Sequence, residues 1–226
     1  AIAWSPSFPS DKVLVAVTSN TSVDVSLQMF SLASGNSKWN AAAGFASFPA
    51  VISNDTTAID DSTVAASLAL APDYLGSDSA MRIAFMGIRE GTAAASSGIY
   101  RVKNTSEKNL KASVNIHSVD YNGTDLVAGR YDSNTVYRCA DPLVTSPTVS
   151  SSSSLKSPGM ASSANEQVVV AWRGDDSTDE VVAGMQGDES AFSISRDKGK
   201  AWNGISLIDT ALTTLNDFAV SADGEY

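Results

Sequence analysis

Apolar residues in this 226-residue chain fall in short runs broken by polar turns, and inside many runs they alternate with polar neighbours. Residues 13–20 (VLVAVTSN) read as a buried strand. Residues 23–34 (VDVSLQMFSLAS), 81–88 (MRIAFMGI), 98–104 (GIYRVKN), 124–131 (TDLVAGRY), 135–142 (TVYRCADP), 167–174 (QVVVAWRG) and 181–187 (VVAGMQG) read as further strands between turn signals. No stretch sustains a helical apolar period, so an α/β fold is not expected. The pattern predicts an all-β chain.

The strands also repeat. Residues 4–8 (WSPSF), 70–74 (LAPDY) and 117–121 (HSVDY) share a first-strand ending, and residues 220–223 (VSAD) look like its start. Residues 125–129 (DLVAG) match 180–184 (EVVAG), and the endings Asn104, Asp141 and Asp197 line up after similar third strands. The spacing, about 45 to 66 residues, is within reach of four-stranded propeller blades. Units are expected at 1–61, 62–112, 113–163 and 164–212, with a fifth opening at 213–226. Units of this size cannot bury both faces alone and must stack on neighbours. Four units and an opening strand leave one unit unfinished, so the expectation is a longer polypeptide or a second copy that completes it. A β-sandwich would share the short strands but not the repeated strand ending.

One corner is sharper than the rest. Residues 195–202 (SRDKGKAW) lie between the apolar-alternating runs 191–194 and 205–208. Asp197 is placed to bond amides of its own turn, Gly199 to take positive φ, and Trp202 to fold back as an apolar plug. This corner resembles the Asp-box (BNR repeat) of sialidase-type β-propellers, where it closes the hairpin between the third and fourth strands of a blade. The resemblance implies a β-propeller of four-stranded antiparallel blades, a segment of a ring of roughly six to eight blades. Ser195, Asp197, Gly199 and Trp202 would be the intact structural box. Degenerate boxes are expected at Cys139 and Asp141, at Asn104, and at Trp39, where FSLASGNSKWN echoes FSISRDKGKAWN.

Composition narrows the function. Acidic residues outnumber basic ones 25 to 15, for a net charge of −10 and no basic run. That excludes a nucleic-acid or anionic-membrane surface, which needs clustered Lys and Arg. No membrane-length apolar run or signal peptide is visible, as in a mature chain or an excised fragment. Cys139 is the sole cysteine, so there is no internal disulfide and no Cys-based metal site; a small buried residue is the reading. His117 is the sole histidine and reads as a packing residue rather than a triad member.

Glycoside hydrolysis is the chemistry that the resemblance suggests. Sialidases grip the substrate carboxylate with three arginines, the first in an Arg-Ile-Pro motif. Here residues 82–84 read Arg-Ile-Ala, without the proline, and no Tyr–Glu nucleophile pair is identifiable. Asp73, Asp120, Asp217 and Asp223 are the inner-strand acids from which a carboxylate pair would come, though most sit where turns ordinarily carry Asp. The acidic turn with Asp175, Asp176, Asp179 and Glu180 is the only calcium candidate and lacks EF-hand spacing; a solvated hairpin tip is the reading preferred, and no other cofactor is expected. Asn20, Asn54, Asn104 and Asn122 begin glycosylation sequons, and the serine run 150–154 suggests a flexible or glycosylated outer loop. Trp4, Trp39, Trp172 and Trp202 read as packing residues rather than sugar platforms.

The expectation is a non-catalytic extracellular or cell-surface propeller, a scaffold or interaction module in a secreted or surface-layer-like assembly. Residues 4–19 resemble repeat units of large secreted surface proteins, which implies other protein subunits or glycans as partners. The alternative is a sialidase- or glucanase-type glycosidase completed by blades outside this segment. A third reading is a receptor or assembly factor that binds protein on one face.

Overall fold

The computed structural model describes residues 1–19, 24–35, 38–54, 65–90, 97–152, 167–174, 179–186, 190–208 and 214–221. Among them the chain is all-β, with four antiparallel sheets of four strands each. The first holds β1 (Ile2–Trp4), β2 (Val13–Thr18), β3 (Asp24–Ser31) and β4 (Ala50–Asn54); the second holds β5 (Ala65–Leu70), β6 (Ile83–Arg89), β7 (Gly98–Lys103) and β8 (Ser106–Ala112). The third holds β9 (Ile116–Tyr121), β10 (Asp125–Arg130), β11 (Val136–Ala140) and β12 (Val149–Ser152); the fourth holds β13 (Gln167–Trp172), β14 (Val181–Gln186), β15 (Ser190–Ser195) and β16 (Asn203–Ile208). Every sheet is a simple meander, strand pairing with the next strand in sequence, as in a propeller blade. The sheets fall in two compact units, Ala1–Val114 and Asn115–Tyr226, each carrying two of them. Residues 214–221, read as the opening of a fifth repeat, contain no strand. A four-residue helix, Phe8–Asp11, sits in the β1–β2 connection, with Pro9 in its first turn and Lys12 in the left-handed region at its end.

One register frame runs through all four sheets. The first strand ends opposite the second at Trp4–Leu14, Leu70–Ala84, Tyr121–Leu126 and Trp172–Val181. The next amide, of Ser5, Ala71, Asn122 or Arg173, donates to the carbonyl of Val13, Ile83, Asp125 or Glu180. The frame aligns 125–129 with 180–184. It also aligns 4–8 with 70–74, where the amides of Phe8 and Tyr74 both bond back to Ser5 and Ala71.

Two expected correspondences shift in this frame. Tyr121, not His117, is the counterpart of Trp4, because the third sheet replaces the long first connection with the tight turn 122–124 and draws the similar string back into the strand. In the third strands Ser195 stands opposite Val181, Cys139 opposite Leu126, Val102 opposite Ala84 and Phe30 opposite Leu14. So Phe30, not Ala33, occupies the place of Ser195, and the FSLASGNSKWN echo is out of register.

Within each unit one sheet packs on the next in the same way. In the first, Val13, Val15 and Val17 of β2 with Leu27 and Met29 of β3 share a core with Ala84, Met86 and Ile88 of β6 and Tyr100 and Val102 of β7. In the second, Val127 and Val136 meet Val170, Trp172, Val181 and Ala183. The following sheet therefore uses the face of its first strand's last residue (Leu70, Trp172), and the preceding sheet uses the face of Val15 or Val127. Each large apolar side chain so buried contributes about 1.5–3 kcal/mol.

As the edge strand of its sheet, β13 has backbone groups that its own sheet leaves unpaired, and β9 supplies them with partners. Ser118 Oγ donates to the Val168 carbonyl and accepts from the Val170 amide, both at 2.9 Å, and Asp120 Oδ2 accepts from the Trp172 amide at 2.7 Å. Gly129 lets β13 come this close: a Cβ there would lie 2.1 Å from the Val168 carbonyl oxygen and 2.8 Å from Ser118 Oγ. Backbone cannot swing aside as a side chain tip can. Gly129→Ala is expected to lower the unfolding free energy by about 3 kcal/mol in urea titrations with an unchanged m-value. A loss under about 1 kcal/mol would contradict the close approach.

Candidate functional site

The best-built polar site is the corner between β15 and β16. Ser195 is fully buried. Its Oγ donates to Asp197 Oδ1 at 2.8 Å and accepts from the Gly199 amide at 2.8 Å. Asp197 Oδ1 also accepts from the amides of Lys200 and Ala201 at 3.0 and 2.8 Å. Desolvation acts to raise the Asp197 pKa, but the Ala201 amide, the Ser195 hydroxyl and the Lys200 amide outweigh it and hold the carboxyl below the ordinary aspartate range. Lys198 and Gly199 take φ of 60° and 77°; the Gly199 amide points into the turn at Ser195 Oγ, while the Lys198 amide donates to the Asp179 carbonyl at 2.9 Å.

The corner also clamps the fourth sheet to the third. Trp202 is 4% exposed, packs with Val127 and Val136, and donates Nε1–H to Ser152 Oγ at 2.9 Å. Lys198 Nζ lies 2.9 Å from Asp125 Oδ2 and 3.5 Å from Asp179 Oδ1. Its hydrogen bond to Asp125, and then the charge of Asp125, raise its pKa. Lys198 and Asp125 were not singled out from sequence, because a lysine inside a box motif carries no mark of a partner 73 residues away.

The corners expected to be degenerate versions of this one are held differently. Asn104 and Asp141 both take positive φ, 54° and 50°, two residues after the buried Val102 and Cys139. Asn104 Oδ1 accepts from Arg82 Nη1 at 3.0 Å. Trp39 is 42% exposed and lies against Phe30, ring centroids 5.3 Å apart, so it does not plug the core as Trp202 does.

Residues considered for chemistry are used structurally. Arg82, of the Arg-Ile-Ala segment, is buried; its Nε donates to the Gly76 carbonyl and its Nη1 to the Gly44 carbonyl, with the guanidinium 5.1 Å from the Phe45 ring centroid. His117 is half-buried beside Tyr131. Glu180 pairs with Arg173 and Arg196, and Asp179 with Lys198, so both described members of the calcium candidate already face cations; Asp175 and Asp176 lie outside the described residues. Asn122 is 5% exposed, its Oδ1 accepting from the amides of Thr124 and Asp125, so this sequon faces inward in the folded chain. Asn54 ends β4, while Asn20 and residues 153–154 of the serine run lie outside the described residues.

Among the inner acids, Asp120 lies within reach of the charge of Asp217, whereas Asp73 is exposed in the β5–β6 connection and Asp223 lies outside the described residues. Desolvation raises the Asp120 pKa. The Trp172 and Tyr121 amides oppose the shift, and Asp217 adds to it. Sequence reasoning missed two further groups. Tyr100 stands near Glu107; burial first, and then the Glu107 charge, push its phenol up to about 12, which keeps it protonated. Asp11, in an unremarkable Pro-Ser-Asp-Lys turn, lines a cavity of about 510 Å³ with Phe45 and Leu75. Its carboxylate is taken up by the Ser5 hydroxyl and the Val13 and Gly76 amides at 2.7, 3.0 and 2.7 Å.

No family model matches the sequence, and a search of curated proteins finds no match either.

Two outcomes follow from these environments. Asp197→Ala leaves the Lys200 and Ala201 amides without their acceptor and should cost about 1–2 kcal/mol in urea unfolding; no measurable cost would contradict the corner's role. Asp120, with its folded pKa above its unfolded value, binds protons more tightly when folded. Its contribution is therefore present at low pH and lost as pH rises from the ordinary aspartate value through the raised one. Asp120→Asn should remove that downward slope from stability measured between about pH 3.5 and 7. A slope identical to the parent's would show that Asp120 titrates normally.

Proposed function

We propose that this chain is a non-catalytic β-propeller module with an Asp-box at residues 195–202, acting outside the cell as a scaffold within a surface or secreted assembly. Its partners on this reading are other protein subunits or glycans rather than nucleic acid or membrane. The observation that carries the reading is the use of Ser195, Asp197, Asp120 and Asp11. Each holds backbone amides or a neighbouring sheet, and none is presented to a cavity with its oxygens open. The net charge of −10 fits a solvated exterior and opposes polyanions.

One observation favours the glycosidase alternative. Asp120 carries a raised pKa to which the charge of Asp217 adds, the direction that a carboxylate general acid requires. Against it, Asp120 already accepts from two backbone amides. Incubation with sialosides, β-glucans and other aryl glycosides is expected to give no turnover above background. A kcat on the order of 1 s⁻¹, abolished by Asp120→Asn, would replace the scaffold reading with the enzymatic one.

A further inference from the structure

The corner after each third strand uses its polar residue differently. Asp197, Asn104 and Asp141 stand two residues beyond Ser195, Val102 and Cys139, which face Val181, Ala84 and Leu126 across their sheets. Asp197 holds amides of its own turn, and Asn104 accepts from the guanidinium of Arg82 at 3.0 Å. The Asp141 carboxylate has neither use. It accepts no hydrogen bond and meets no cation at ion-pair distance among the described residues. Its left-handed φ of 50° calls for no charge, since the neutral Asn104 holds 54° in the same place.

Thr124 explains the difference. It is the counterpart of Arg82, each standing two residues before the Leu126 or Ala84 that faces Cys139 or Val102. Arg82 reaches its corner; the short Thr124 turns to its own loop and donates to Asn122 Oδ1 at 3.3 Å and Asp125 Oδ2 at 3.0 Å. Where the second sheet has an arginine, the third has a cavity of about 270 Å³, lined by Tyr121, Gly123, Thr124, Asp141, Leu143 and Val144. Pockets for drug-sized molecules run from roughly 300 to 1,000 Å³, so this one suits a single side chain. Leu143 and Val144, 43% and 49% exposed, give it apolar flanks beside the carboxylate.

We infer that this cavity takes an arginine side chain of a partner protein, which supplies to the third sheet the cation that Arg82 supplies to the second. Arginine is apolar along its stem and cationic at its planar head. The stem matches Leu143 and Val144, and the head matches the Asp141 carboxylate, which a guanidinium can engage with two parallel N–H groups. An anionic partner would meet like charge there, and a neutral glycan would leave the carboxylate without a counter-charge. The net charge of −10 draws a cationic surface toward the site. The inference rests on the proposed reading of the chain as an interaction module and states the chemistry of one partner.

Titration of the full chain with N-acetyl-arginine methylamide, followed by amide NMR, tests this. Shifts should saturate at Gly123, Thr124, Asp141 and Val144 with a Kd on the order of 1 mM, as a single charge-assisted contact allows. Asp141→Asn keeps a residue that tolerates the left-handed turn and should weaken binding at least about tenfold. Thr124→Arg, which fills the cavity from within, should abolish it. The citrulline analogue, alike in shape but uncharged, should not bind. Circular dichroism and melting verify that each variant folds as the parent does. No saturable shift up to about 20 mM overturns the inference, as does equal binding of the citrulline analogue or undiminished binding to Asp141→Asn. A methyl glucoside that shifts the same amides in parent and Asp141→Asn alike would overturn it in favour of a glycan. Failure here without glycosidase turnover would sink this site alone. Turnover with arginine still bound would sink the scaffold reading and leave the site standing.

Discussion

The second strand of every described sheet is apolar and buried on both faces, and that is the constraint on which the rest depends. A sheet with one wet face reads as strict alternation, but β2, with Val13, Val15, Ala16 and Val17 all buried, has little polar surface to offer water on either side. One neighbour can cover only one face. Within each unit the second of the two sheets lays the face of its first-strand terminus on the Val15-type face of the first. Stacking leaves the first strands as edges, and the chain answers with side chains: Ser118 and Asp120 serve β13 as a partner strand would, through single hydroxyl and carboxylate oxygens. Gly129 is the concession in volume that lets them reach.

This use of polar groups bears directly on chemistry. A catalytic carboxylate needs lone pairs facing a reacting atom, and a pKa poised by its surroundings. Asp120 has the shifted pKa, but each of its oxygens already accepts from a backbone amide, and burial accounts for the shift, which those amides oppose. Perturbed titration at this position thus has a structural origin in the burial of Asp120, since structural sites as well as catalytic ones perturb a pKa. Arg82 makes the same point for cations, since its planar fork suits carboxylate recognition but here gathers the carbonyls of Gly44 and Gly76 and the amide oxygen of Asn104.

Much of the fold was legible because it rests on local pattern. The acidic turn with Gly199, and the DLVAG and EVVAG strands, announce their geometry through residue type at short spacing, and the sheet frame places them as their sequences align. What could not be read was loop length between repeats. His117 to Tyr121 looks like Trp4 to Phe8, yet the turn at 122–124 removes the connection that separates strand from loop in the first two sheets, and similarity of letters then misplaces the string. Trp39 failed for a related reason. The connection of residues 32–49 is long enough to carry its tryptophan onto the far face of the sheet, beside Phe30. Long-range partners such as Lys198 with Asp125 leave no local trace at all.

The corner at residues 195–202 differs from the other third-to-fourth connections in how it is closed. Between β15 and β16, seven residues (196–202) must turn and return a tryptophan to the core, which needs fixed amides and hence Ser195 and Asp197. Between β7 and β8 only residues 104–105 intervene; the left-handed Asn104 suffices, and Arg82 steadies it from the neighbouring connection. Between β11 and β12 Asp141 keeps the left-handed turn, while Cys139 fills, without a hydroxyl, the buried place that Ser195 holds. A short turn gains nothing from an internal carboxylate, and a buried thiol asks for no amide partner. The 195–202 corner thus does two jobs, turning the chain and clamping a neighbouring sheet through Trp202 on Ser152 and Lys198 on Asp125.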